Sequence, residues 1–180
     1  ARSAARSAAR TDSRRMTSGA PVYPALWLCG RLFACPGHPP LSRAELTASM
    51  SPYAELPAPV RRVVALRTAA LGSLMRLAAA SFSASAAVLD VGCGHGQLVR
   101  WLALEPGRSV AGIDSSEARI RVAQGVGTPP NLRFERAAAL DYLHAKPGPC
   151  DGFVFADTLL YMTADAQRSA LTAARESARV

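Results

Sequence analysis

Apolar and polar residues follow two different patterns along this chain, and the change lies near residue 85. From about residue 57 to residue 80, apolar side chains recur at three- and four-residue steps, which is the spacing of an amphipathic helix. The stripe comprises Val60, Val63, Val64, Leu71, Leu74, Met75 and Ala78. We expect this helix to pack against the flank of the domain that follows, although a helix lying on a membrane surface has a similar pattern.

After residue 85, short apolar runs of the buried-strand type alternate with helical segments. The predicted strands are residues 87–91, 109–113, 132–136 and 152–156. The predicted helices cover residues 97–104, begin near Glu117 and follow a cap at Thr163. Strands that alternate with helices predict parallel pairing through helical crossovers. The expected fold class is α/β, an open, doubly wound, Rossmann-like and mostly parallel sheet with its first four strands present.

The chain of 180 residues divides into three expected regions. Residues 1–49 are expected to be a low-complexity, disordered extension, residues 50–85 an amphipathic helical segment, and residues 86–180 a partial α/β domain. The arginine-rich, acid-poor composition of residues 1–20 is also typical of a mitochondrial transit peptide. The alternative is an extension upstream of an internal start at Met16 or Met50.

The formal net charge of +8 belongs entirely to the first part of the chain. Residues 1–85 hold 11 arginines and three acids, whereas residues 86–180 hold ten basic and ten acidic residues. The basic part lacks aromatic residues interleaved with its charges, which single-stranded nucleic acids need for stacking. No nucleic-acid partner is therefore expected. The apolar residues 22–35 are too few and too interrupted for a membrane span.

Four cysteines are scattered along the chain without a Cys-x-x-Cys pair. This spacing does not favour a disulfide scaffold, and it fits a reducing compartment. Cys29, Cys35 and His38 offer three ligands where a structural zinc ion needs four, so no metal is expected. The expected location is cytoplasmic, or mitochondrial if residues 1–20 are a transit peptide.

Three glycines at alternate positions follow the first predicted strand, in the segment VLDVGCGHGQL. In an open parallel sheet, ligands bind beyond the carboxyl ends of the strands, where the strand order reverses. Gly92, Gly94 and Gly96 allow a ligand to approach the backbone, and the following helix presents free N–H groups. Asp114 ends the second strand, where an acid can accept hydrogen bonds from both hydroxyls of a ribose. Its alternative role is the N-cap of the next helix.

The spacing of the glycines distinguishes between adenosine-containing cofactors. The nicotinamide fingerprint is Gly-x-Gly-x-x-Gly around a pyrophosphate, whereas this chain has Gly-x-Gly-x-Gly. Asp90 stands two residues before the first glycine, where it would repel a pyrophosphate and attract an amino group. An NAD(P)-dependent oxidoreductase therefore becomes the alternative rather than the first hypothesis.

The segments LDVGCGHG, GID and DGFVFADTLLYM resemble the class I S-adenosylmethionine-dependent methyltransferases over about residues 88–180. The resemblance implies S-adenosyl-L-methionine as cofactor and methyl transfer to a small-molecule or lipid acceptor. It implies that Asp90 lies near the methionine amino group and that Asp114 binds the ribose. It also implies that Ala156 and Asp157 end the fourth strand, whose backbone borders the methionyl group and the substrate. The cofactor-binding residues it implies are Asp90, Gly92, Cys93, Gly94, Gly96, Asp114, Ser115, Ala138 and Ala156.

The chain also departs from this family at several places. Ala138 stands where the family usually has a polar residue beside the adenine amine, and Asp141 comes three positions later. The segment ADTLLYM lacks the Asn/Asp-Pro-Pro-aromatic signature of enzymes that methylate amino groups of bases or glutamine. The family continues beyond "AARESARV" into a Pro-Gly-Gly turn and further strands, so we interpret the chain as C-terminally truncated. A non-catalytic cofactor-binding remnant is a further alternative.

The sequence assigns no catalytic residue. His95 is expected to be a loop residue that packs near the cofactor. One hypothesis is that His144 and Tyr161 face the acceptor. The alternative is that His144 is a surface loop residue and Tyr161 an aromatic residue that packs against a helix. The oligomeric state and the methyl acceptor are left open.

Overall fold

A computed structural model describes residue 39, residues 41–54 and 56–145, residue 148 and residues 150–179. The predictions for residues 1–38 lie outside the described residues. They are the low-complexity segment, the apolar segment 22–35 and the three potential zinc ligands Cys29, Cys35 and His38.

The described residues form helices and strands in the order that the sequence predicted from residue 87 onward, with one additional helix. The helices are α1 (Arg43–Met50), α2 (Ala58–Ala79), α3 (Gln97–Leu102), α4 (Glu117–Gly125), α5 (Ala139–His144) and α6 (Ala164–Ser177). The strands are β1 (Ala87–Val91), β2 (Ser109–Asp114), β3 (Leu132–Arg136) and β4 (Gly152–Val154). Short 3-10 helices cover Ser51–Tyr53 and Leu159–Tyr161. Helix α5 was not predicted.

The four strands form one parallel sheet in the order β3-β2-β1-β4. This arrangement confirms the predicted open, Rossmann-like α/β fold. Because β2 lies on one side of β1 and β4 on the other, the strand order reverses beside β1. In this class of fold, that reversal marks the ligand site.

Helices cover both faces of the sheet because neighbouring residues of a strand point in opposite directions. Val88 and Val110 belong to an apolar cluster that includes residues of α3 and α4. Leu89 and Ile113 belong to a second cluster, which includes residues of α5 and α6. The central strand β1 is therefore buried on both sides, as expected for a continuous apolar run.

The expectation that residues 1–49 are disordered is wrong for the last part of this range, which forms helix α1. Ser42 and Glu45 form a capping box: the Glu45 N–H donates to the Ser42 hydroxyl over 3.2 Å, and the Ser42 N–H donates to the Glu45 carboxylate over 2.7 Å. Leu46 and Met50 are buried against α2. The spacing Ser-x-x-Glu was the sequence signal for this helix.

Helix α2 buries only part of the predicted stripe among the side chains that the structure describes. Val64 packs against the cluster formed with α1, whereas Val60 and Val63 are 47% and 69% exposed. Ala65 and Ala69, which are not in the stripe, are buried against α1. Small side chains on the buried face allow the two helices to approach closely, which leaves larger apolar side chains of α2 in contact with solvent. Within the described part of the chain, no helix is long and apolar enough to cross a membrane.

Candidate functional site

A cavity of about 800 Å³ lies at the carboxyl ends of the strands, beside the reversal of strand order. This volume is within the range of small-ligand sites, which is about 300–1,000 Å³. The residues predicted to bind a cofactor converge on it. Those that line the cavity are Asp90, Gly92, Cys93, Gly94, Asp114, Ser115, Ala138 and Ala156. The remaining predicted residue, Gly96, packs against Phe134.

The three glycines of the loop after β1 all have left-handed backbone angles, with φ values of 81°, 57° and 82°. A Cβ atom at Gly92 would overlap with the Thr158 side chain, and a Cβ at Gly96 would lie 2.5 Å from the Phe134 ring. A Cβ at Gly94 would have no atom within 4 Å in the described structure. Packing therefore requires Gly92 and Gly96, whereas Gly94 presents bare backbone to the cavity.

Hydrogen bonds hold this loop in place from β2 on one side and from the segment after β4 on the other. The backbone N–H groups of Gly92 and Cys93 both donate to the Ile113 carbonyl over 2.8 Å. From the other side, the Thr158 hydroxyl donates to the Val91 carbonyl over 2.7 Å. The loop is thus fixed between β2 and the segment that follows β4.

Asp114 uses both carboxylate oxygens to organise the site. Its Oδ2 accepts from the Gly94 N–H over 2.9 Å, and its Oδ1 accepts from the Ser116 N–H over 2.8 Å. Arg119 Nη1 lies 3.7 Å from Oδ2. A carboxylate oxygen can accept two hydrogen bonds, so Asp114 keeps capacity for a ligand in the cavity that it lines.

The alternative role of Asp114 as a helix N-cap is wrong. The N-cap of α4 is Ser116, whose hydroxyl accepts from the Arg119 N–H over 3.4 Å. Asp114 remains the last residue of β2. Its side chain therefore acts between the glycine loop and the start of α4 rather than within the first helical turn.

Asp90 is a buried carboxylate that the described residues leave incompletely paired. The residue is 1% exposed, and its Oδ1 has no hydrogen-bond partner among the described atoms. Burial, with a smaller contribution from the nearby Asp114 carboxylate, raises the pKa of Asp90 to about 7. A buried polar atom without a partner destabilises the fold, so this one is suited to a donor that a ligand supplies.

Cys93 lies in the glycine loop as a packed thiol. It is 9% exposed, and a Cβ atom at Gly112 would lie 2.9 Å from its Sγ. Burial, with smaller contributions from Asp90 and Asp114, raises the pKa of the Cys93 thiol far above its usual value. A raised pKa favours the protonated thiol, which is a weaker nucleophile than the thiolate.

The sequence did not identify the residues that line the cavity from the N-terminal elements. Tyr53, Arg67, Thr68 and Met75 all line it. Arg67 forms an ion pair with Asp157, the residue after Ala156. Asp157 has a left-handed φ of 59°. No local motif marks these residues, because packing of α2 over the sheet brings them to the cavity.

The three side chains considered for chemistry have different surroundings. Tyr161 lines the cavity and is 89% exposed. His144 is exposed, and its Nε2 lies 3.0 Å from the Ser169 hydroxyl, between α5 and α6. The His95 ring meets Tyr53 edge-on with 5.2 Å between ring centroids, and burial lowers the pKa of His95, helped by Arg119. Of these three, Tyr161 has the position expected of a residue near an acceptor.

Ala138 and Asp141 both line the far end of the cavity, after β3. Ala138 is the residue before α5, and Asp141 lies in the first turn of that helix. The turn of the helix thus brings Asp141 to the same cavity, although it is three positions later in the sequence. A carboxylate therefore lines the same part of the cavity as Ala138, which is not polar.

A family model described as "Methyltransferase domain" matches residues 88–179. No curated protein matched the chain. Among solved structures, the chain is similar to a magnesium protoporphyrin IX methyltransferase from Synechocystis PCC 6803 with bound SAH, at 23% identity and a TM-score of 0.53. The match covers 66% of this chain and 55% of that one.

Two further solved structures are similar over comparable lengths. A TehB-like SAM-dependent methyltransferase from Corynebacterium glutamicum has 24% identity and a TM-score of 0.50, covering 58% of this chain and 55% of that one. A SAM-dependent methyltransferase from Archaeoglobus fulgidus has 22% identity and a TM-score of 0.51, covering 59% and 46%. These likenesses show the fold, and the chain spans about half the length of each structure.

Proposed function

Because the chain belongs to the methyltransferase-domain family, we propose that it binds S-adenosyl-L-methionine in the cavity beside β1 and transfers a methyl group to a small-molecule or lipid acceptor. One observation carries the proposal most strongly. The buried Asp90 carboxylate lines the cavity and has an oxygen that the described residues leave without a partner. An ammonium group forms a stronger hydrogen bond with such a carboxylate than a neutral donor does.

The other residues of the cavity fit the same cofactor. The bare backbone at Gly94 leaves space for a ligand, and Asp114 is placed to accept hydrogen bonds from the hydroxyls of a ribose. Ala138 and Asp141 border the end of the cavity that remains for an adenine ring. When bound, S-adenosylmethionine supplies a methyl group on a positively charged sulfur, and the protein's task is to orient the acceptor towards it and to exclude water.

The same charges disfavour a dinucleotide. A pyrophosphate beside the glycine loop would lie near both the Asp90 and the Asp114 carboxylates, and like charges repel strongly in a partly buried site. Arg119 is the cation beside this part of the cavity, and its guanidinium lies against Asp114. An NAD(P)-dependent oxidoreductase is therefore the weaker candidate.

Thermal denaturation of the full chain with added ligands tests the proposal. S-adenosylhomocysteine at about 100 times its Kd is expected to stabilise the folded chain by about 2.7 kcal/mol and so to raise Tm. NAD at the same concentration is expected to leave Tm unchanged. A larger shift with NAD would support the oxidoreductase instead, and no shift with either ligand would identify a remnant that binds neither.

A further inference from the structure

The cavity has two sides that the sheet order separates. Asp114 ends β2 and Ala138 follows β3, whereas Asp157 and Tyr161 follow β4 on the opposite side of β1. The proposed cofactor residues occupy the loop after β1 and the β2–β3 side, except Ala156, which follows β4. Beyond Ala156, Arg67 of α2 pairs with Asp157, and this part of the cavity remains for the methyl acceptor.

The β4 side carries no unpaired positive charge among the described residues that line it. Arg67 is its cation, and the guanidinium is paired with the Asp157 carboxylate. An acceptor with a phosphate or carboxylate group would have to displace this carboxylate and would also approach the nearby Asp90. The charges therefore complement an uncharged molecule.

One aromatic and two sulfur-containing side chains border the acceptor part of the cavity. Met75 lines the cavity from α2, and Tyr161 and Met162 line it from the segment after β4. Tyrosine offers a flat apolar face, and methionine makes favourable contacts with aromatic rings. We call these three residues the aromatic wall.

Exposed apolar residues adjoin the lining residues along the chain. Val63 lies one helical turn before Arg67 and is 69% exposed. Leu160, beside Tyr161, is 79% exposed, and Tyr161 itself is 89% exposed. Several large apolar side chains left exposed near a cavity are typical of a binding surface.

From this combination we propose that the methyl acceptor is an uncharged aromatic small molecule, which binds between the aromatic wall and the Arg67–Asp157 pair. This inference rests on the proposed function, because the position of the acceptor is defined relative to the cofactor. The aromatic body of the acceptor packs on Tyr161 and Met75, and its nucleophilic atom points along the cavity towards the loop after β1.

The test uses two probes of similar shape and different charge, 2-naphthol and 2-naphthalenesulfonate. Fluorescence titration of the full chain, saturated with S-adenosylhomocysteine, is expected to show that 2-naphthol binds at least about 10-fold more tightly than the sulfonate. The substitution Tyr161→Ser is expected to weaken 2-naphthol binding about 10-fold, because it removes most of one apolar contact surface. Val63→Ser tests the exposed residue one helical turn before Arg67 and is expected to have a smaller effect in the same direction.

The matched control is Leu171→Ser on α6, because Leu171 is 48% exposed and is not a lining residue of the described cavity. It is expected to bind 2-naphthol as the wild type does. Equal affinity of the two probes, or unchanged 2-naphthol affinity in Tyr161→Ser, overturns the inference. Failure of S-adenosylhomocysteine to shift the Tm of the wild type would instead overturn the proposed function, whatever 2-naphthol does.

Discussion

The substitution Asp90→Asn is expected to weaken binding of S-adenosylhomocysteine about 10- to 100-fold, because a hydrogen bond to a charged group contributes about 1.5–3 kcal/mol. The same substitution should leave the ligand-free fold as stable as the wild type, or more stable. Asp90 is 1% exposed, and its Oδ1 lacks a partner among the described residues, so the carboxylate does not stabilise the fold by itself. Ligand titration and thermal denaturation of the same samples measure both effects.

Fold stability and ligand affinity should both depend on pH, because the pKa of Asp90 is raised from 3.8 to about 7. Between these two values, the folded chain holds a proton on Asp90 that the unfolded chain has released. The free energy of unfolding therefore falls as pH rises through this window. Asp90→Asn cannot titrate, so the variant should lack this part of the pH dependence. Ligand affinity of the wild type should rise as pH passes about 7, because the carboxylate is the form that binds an ammonium group.

Asp165→Asn is the matched control, because this carboxylate is 90% exposed on α6 and pairs only locally with Arg168 in the described structure. It is expected to change neither ligand affinity nor its pH dependence. Wild-type affinity in Asp90→Asn would contradict the role of Asp90 in binding. A large loss of stability in that variant would instead show that Asp90 is a structural residue.

Alanine substitutions in the glycine loop are expected to separate folding from binding. Gly94→Ala should cost about 1–2 kcal/mol for the left-handed backbone, since its Cβ meets no described atom within 4 Å. It should nevertheless abolish most ligand binding, because the new methyl group lies where the backbone borders the cavity. Gly92→Ala carries the same backbone cost and also overlaps with Thr158, so it should lose about 2–5 kcal/mol of stability.

Urea denaturation and ligand titration of both variants measure this difference. The double substitution Gly92→Ala with Thr158→Ala is a sharper test, because removing the Thr158 side chain beyond Cβ relieves most of the overlap. It should recover part of the lost stability, although it also removes the hydrogen bond to the Val91 carbonyl. If Gly94→Ala binds ligand normally, the Gly94 backbone does not border the ligand.

The sequence was most informative where local pattern and tertiary structure agree. Strands β1 and β3 have the predicted bounds because the first is a largely apolar run that ends at glycine and the second alternates apolar Leu132 and Phe134 with charged residues. Strand β4 ends at Val154, two residues earlier than predicted, because the chain turns before the left-handed Asp157. The glycine loop and Asp114 were found because a strand and a helix frame them within about 25 residues.

Residues from distant parts of the chain could not be predicted in the same way. The periodicity of α2 predicted a helix, but the face packed against α1 includes the small residues Ala65 and Ala69, which the predicted stripe left out. Close approach to α1 selects these small residues, and the sequence of one helix does not show its partner. Arg67 and Tyr53 reach the cavity only through that packing.

Amide hydrogen exchange of the full chain, with and without saturating S-adenosylhomocysteine, tests the central claim most directly, because it locates the bound ligand along the sequence. The cofactor site described above predicts slower exchange in three segments that line the cavity, residues 90–98, 113–119 and 137–141. Exchange in α6 should change least, because the buried face of this helix packs in the second apolar cluster, with Leu89 and Ile113. Unchanged exchange in all three segments at saturating ligand, or protection confined to other parts of the chain, would contradict the claim.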